Sequence, residues 1–164
     1  MATKSGRVFC EALGRSPQAP TIVFFHAPLK GTLGGRGAVA EHASFFAQPH
    51  KKLRKVVRQN PQIFLWVSGH THVAPANPRF RHPVNVYEGQ VTDIHNCDMD
   101  GRSSFNDKSR KTTTHEDIWT NSLFLYPDRV VVRTFDHRRG VWLEGLDREI
   151  RPRMPAGARR HIAR

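Results

Sequence analysis

Cysteine is nearly absent. Cys10 and Cys97 are the only two in 164 residues, too few and too far apart for a disulfide framework, so the chain has to draw its stability from a packed core. No apolar run approaches the roughly 20 residues that a membrane helix needs. Residues 1–7 are basic, but the apolar stretch that follows is broken by Glu11, Gly14 and Arg15, which leaves no secretory h-region. The expectation is a chain with no membrane contact and a cytoplasmic location. The hydrophobic share of 38% and the length fit one soluble globular domain. We place that domain at residues 1–152, with 153–164 as a basic tail short of core-forming residues.

Acidic residues are also scarce: 14 against 26 lysines and arginines, for a formal charge of +12. A field of that sign favours phosphate, whether on a small ester, a nucleotide or a nucleic-acid backbone. An acidic partner chain would balance it equally well. No nucleic-acid-binding motif is present, so a basic nucleic-acid-binding domain rests on charge alone.

Residues 63–72 read Ile-Phe-Leu-Trp-Val-Ser-Gly-His-Thr-His. The short apolar run, rich in β-branched and aromatic residues and closed by Gly69, has the pattern of an inner strand of a covered sheet. His70 and His72 then stand just past its carboxyl end, where open α/β sheets place their chemistry. Gly69 is expected to lend the turn its backbone freedom. Residues 21–25, Thr-Ile-Val-Phe-Phe, repeat the design and end at His26. Two strands of one sheet would thus deliver imidazoles, which are common metal ligands, to one edge.

In these two segments, Phe-His-Ala-Pro-Leu from Phe25 and Gly-His-Thr-His from Gly69, the chain resembles the carboxyl-terminal half of the calcineurin-like metallophosphoesterases. That family carries Asp-x-His, Gly-Asp-x-x-Asp and Gly-Asn-His motifs ahead of these two. No Gly-Asp or Gly-Asn pair occurs here, and all three motifs, Asp-x-His included, are read as absent from the chain. The resemblance implies an α+β fold, half of an αββα sandwich, with a mixed sheet, flanking helices and a C-terminal antiparallel hairpin. It implies metal-dependent phosphoester hydrolysis once the missing half is supplied. His26 and His70 would bind one divalent ion and His72 the other, as zinc, iron, manganese or nickel. The alternative is a catalytically inactive metal-binding or interaction remnant. Partners implied are a phosphoester substrate and either a second copy or a separately encoded amino-terminal half.

The remaining elements follow from local pattern. Residues 6–14 form a short amphipathic helix. Residues 30–37 hold four of the twelve glycines, and their amides with Lys30 and Arg36 are candidate phosphate contacts. Residues 38–47 read as helix. Residues 49–59 read as a second helix with Leu53, Val56 and Val57 inward and five lysines and arginines outward. Residues 84–87 and 91–94 are short strands. Asp93, His95, Cys97, Asp98 and Asp100 gather five donor side chains, in a spacing that matches neither a zinc pattern nor an EF-hand loop, so a polar turn is the expectation. Residues 102–116 form a polar surface insertion. Residues 122–126 and 129–135 alternate around Pro127 and Asp128 as a hairpin that extends the sheet, and residues 141–146 add a strand.

Overall fold

The computed structural model describes residues 4–32, 42–72, 83–96, 102–103, 112–113 and 118–153. Helix α1 (Lys4–Arg15) leads into strand β1 (Thr21–Phe24), and helix α2 (His50–Gln59) leads into β2 (Ile63–Ser68). All six residues of β2 are buried, because its apolar run offers both faces to other layers. It lies parallel to β1 on one side and to β4 (Val91–His95) on the other, while the short β3 (Val86–Tyr87) runs antiparallel to β4. The sheet is therefore mixed, in the order β1-β2-β4-β3.

Its two faces are filled differently. Ile63, Trp66 and Val91 join Val23, with Leu13 from α1 and Val57 from α2, in a core on the helix side. On the other side Leu65, Val67 and Ile94 pack against Val130, Val132 and Ile150. Phe64 and Leu65 belong to the same cluster although adjacent residues of a regular strand point oppositely. A register shift explains this: Thr21 faces Ile63 and Ile22 faces Leu65, so Phe64 has no partner on β1.

The second sheet is antiparallel. It is made of β7 (Trp119–Leu125), β8 (Val130–Asp136), β9 (Val141–Trp142) and β10 (Arg148–Ile150), with β8 pairing to the other three. Strand β8 alternates strictly, with Val130, Val132, Thr134 and Asp136 buried. Between the sheets in sequence lie β5 (Arg102–Ser103) and β6 (Thr112–Thr113), paired with each other.

Several sequence expectations need correction. The hairpin does not extend the first sheet but forms a second one, since the apolar face of β8 covers Leu65 and Ile94 instead of joining their edge. Strand β1 is an edge strand, not an inner one, with Phe24 69% exposed; over four residues a continuous apolar run cannot be told from an alternating one. In place of a helix over 38–47, the described part holds only a 3-10 turn at Ala43–Phe45. Phe45 meets His70 while Phe46 is buried and meets His50, and neighbours with separate partners do not share a helix face. Residues 141–146 split into β9 and a 3-10 turn at Glu144–Leu146. Residues 38–41, most of 102–116, and 154–164 lie outside the described residues. No helix among the described residues is long and apolar enough to cross a membrane.

Asp136 closes the β8–β9 turn. Burial alone would raise its pKa, but the Arg139 amide, the Trp119 indole N–H, the Arg138 amide and the Arg139 guanidinium together hold it below the usual carboxylate range. The two amides donate at 3.0 and 2.9 Å. A depressed folded-state pKa stabilises the protein above the unfolded value and is lost as pH falls below it. Asp136→Asn should therefore lower the denaturant midpoint at pH 7, with the deficit shrinking as pH drops through about 3.9. A deficit that stays constant down to pH 3 would contradict this. Independently, Ile94→Ala should cost about 2–5 kcal/mol in denaturant unfolding, because it opens a cavity between the two sheets. A loss under 1 kcal/mol would show that the sheets are not packed there.

Candidate functional site

Because β1 and β2 are parallel, the residues that follow them leave at one edge. The Gly69 amide donates to the His26 carbonyl at 3.0 Å and carries the strand pairing one step past both strands. It brings His26 Nε2 to 3.1 Å from His70 Nδ1. The rings meet edge to face, with centroids 5.0 Å apart and planes at 73°. At that distance one N–H points at the other ring's lone pair.

The turn that presents His70 is strained, and the strain is not at the glycine. His70 has φ 64° and His72 φ 51°, whereas Gly69 is not in the left-handed region. An added Cβ at Gly69 would meet only the His26 carbonyl, at an ordinary 3.8 Å. The Thr71 amide reaches back to the Gly69 carbonyl at 2.6 Å, closing a three-residue turn of the positive-φ kind, which is the rare and strained form. Left-handed backbone costs an L-residue roughly 1–2 kcal/mol, and such conformations cluster where function holds them.

One wall of the pair is aromatic. Phe45 stands 5.9 Å from the His70 ring, with His42 6.4 Å beyond it, and the Ala47 amide holds this segment to the Pro28 carbonyl at 2.8 Å. Lys30 places its ammonium 5.1 Å above the Phe46 ring. Arg36, the other candidate phosphate contact, lies outside the described residues, as do Cys97, Asp98 and Asp100.

The other two members of that five-residue cluster have a different role. Asp93 and His95 share the parity of Val91 on β4 and are fully buried, at 0% exposure. Asp93 Oδ2 accepts from the Leu29 amide at 2.7 Å and lies 2.8 Å from the Thr32 hydroxyl, while Oδ1 accepts from Ser68 Oγ at 2.8 Å. His95 Nε2 is 3.3 Å from the Thr32 carbonyl, which makes it the N–H side, and Nδ1 is 3.4 Å from both Ser68 and Thr71 hydroxyls. Asn85 Nδ2 donates to the same Thr32 carbonyl at 2.7 Å. Ser68 bonds the carboxylate and approaches the imidazole. A nucleophilic triad instead has histidine in the middle and an accessible hydroxyl, so this is a buried hydrogen-bond chain.

Asp93-Ile94-His95 does spell Asp-x-His, and so one of the motifs counted as missing is present in letters. Its side chains are spent on the loops and do not line the histidine pair. Their strand parity with buried Val91 was the signal that could have shown this.

Of the three histidines read as ligands, the structure brings two together. His26 and His70 touch, but among the described residues no group of three or more His, Cys, Asp and Glu side chains is placed to hold a metal ion, and His72 does not complete one. The pair itself suits a shared ion: with imidazole ligands at about 2.0–2.1 Å, its 3.1 Å nitrogen separation corresponds to an angle of roughly 100° at the metal.

If His72 is held at positive φ, glycine should be tolerated there better than alanine. His72→Gly is expected to exceed His72→Ala in stability by about 1 kcal/mol in urea unfolding. Equal stability, or a more stable alanine variant, would mean that the backbone relaxes out of that region.

No protein-family model, no curated protein and no solved structure matches the chain.

Proposed function

We infer that the chain is a metallophosphoesterase-like module, and that His26 and His70 are two imidazole ligands of one divalent cation used in phosphoester hydrolysis. The observation that carries this is the 3.1 Å contact between His26 Nε2 and His70 Nδ1 at the carboxyl ends of adjacent parallel strands. The backbone strain at His70 and His72 supports it. So does the layering, with helices on one face of a mixed sheet and an antiparallel sheet on the other, as expected of half an αββα sandwich.

Bound there, a zinc, iron, manganese or nickel ion would polarise a phosphoryl oxygen and supply a nucleophilic water at neutral pH. The chain's own contribution is to aim two neutral donors at one point and to wall that point with Phe45. His72, one residue beyond Thr71, is the candidate ligand of a second ion. Neutral imidazoles cannot hold two dications close together, because nothing offsets their repulsion. Among the described residues no carboxylate joins the pair, so carboxylates from another polypeptide are proposed to complete a two-metal centre, and an acidic partner also suits the net charge of +12.

Zinc titration followed by calorimetry should show one site, weakened at least about tenfold by either His26→Ala or His70→Ala. The isolated chain should hydrolyse an aryl phosphate no faster than these variants. An isotherm unchanged in His26→Ala would remove the metal assignment. Robust turnover by the chain alone, lost in His70→Ala, would remove the need for a partner's carboxylates.

A further inference from the structure

We propose that Asp93 and His95 are positioning residues for the histidine pair, acting through the two loops that carry it. The inference rests on the metal reading only for its zinc readout. Among the described residues, the hydrogen-bond partners of these two side chains belong to the end of β2 or to the loops after β1 and β2. Leu29 and Thr32 follow His26 by three and six residues, while Ser68 and Thr71 flank Gly69 and His70. The direct backbone link between those loops is the Gly69 to His26 hydrogen bond. That bond fixes the spacing of the chains. It does not fix which way each loop turns afterwards.

Asp93 supplies the missing constraint. A buried carboxylate is tolerated only when its oxygens are satisfied, and here the satisfying donors come from the loop after β1 and from Ser68, the last residue of β2, at 2.7–2.8 Å. Moving that loop away from the end of β2 would strip a buried carboxylate of a donor, at a cost of the kind that breaking a charged hydrogen bond carries. His95 ties the two loops themselves, from the Thr32 carbonyl on one to the Thr71 hydroxyl on the other. Thr71 lies between the two strained histidines, so a contact on it bears directly on the turn that aims His70.

Three variants test this. Asp93→Asn replaces an acceptor by a donor, Thr32→Val removes one hydroxyl while keeping the side-chain shape, and Val132→Ala is a control that destabilises the opposite face of the sheet. The metal-free readout is the imidazole nitrogen spectrum of His26 and His70, which reports whether one N–H points at the other ring's lone pair. The second readout is zinc affinity. Asp93→Asn and Thr32→Val should lose the ring-to-ring signature and bind zinc about tenfold more weakly, and Val132→Ala should keep both. Should Asp93→Asn fail to fold, Thr32→Val decides the question. A folded Thr32→Val with both readouts unchanged overturns the proposal, as does loss of both in Val132→Ala. If the unsubstituted protein binds no zinc, the metal reading fails. The nitrogen spectra then decide the positioning role alone.

Discussion

One carboxylate ties the end of a parallel strand to the loop that leaves its neighbour. Asp93, on β4, takes a hydroxyl hydrogen bond from the last residue of β2 and an amide hydrogen bond from the loop that leaves β1. The surrounding residues, Thr32, Ser68, Thr71, Asn85 and His95, are all buried and polar. Such a cluster is tolerable only when its members satisfy one another, and a half-satisfied network would be worse than an apolar filling. Asp93 therefore confers uniqueness on the edge more than raw stability. The His26–His70 contact sits directly above that edge.

Away from the edge, charge is managed locally. On α2, Arg54 and Arg58 both close on Glu88, at 2.8 and 2.6 Å. Burial would raise the Glu88 pKa, but hydrogen bonds from Arg58 and Arg54 lower it below the usual carboxylate range. Lys51, Lys52 and Lys55 carry the helix's remaining positive charge. On the outer face of the second sheet, the Arg133 guanidinium lies over Phe124 and Trp142, at 5.7 and 4.9 Å, and pairs with Asp147 at 3.0 Å. Among the described residues, α2 thus keeps three lysines besides the two arginines that close on Glu88, whereas on the aromatic face Arg133 is answered by Asp147.

The inner strand was legible because six successive residues of β2 admit no solvent-facing position, and burial on both faces leaves a continuous apolar run. His26 and His70 were legible as a pair because both follow strands that end at one edge. Other features depend on distant contacts. The strain at His70 and His72 has no local marker, and Gly69 pointed to the wrong residue. The second sheet escaped notice because alternation along β8 says which face is buried but not what covers it. Phe45 falls in the segment that read as helix, and only the fold sets it against His70. Asp93 and His95 resembled a polar turn in letters, yet strand parity already placed them beside Val91.

Buried hydrogen bonds to β4 hold the loop after β1 as firmly as the strands themselves. Amide hydrogen exchange measures this most directly, at the Leu29 N–H that donates to Asp93 and the Gly69 N–H that donates to His26. Both amides should be protected at the level of Leu65 and Val67 in the middle of β2, opening only with the whole domain. Exchange of the Leu29 amide at the rate of an exposed loop, while β2 stays protected, would contradict it.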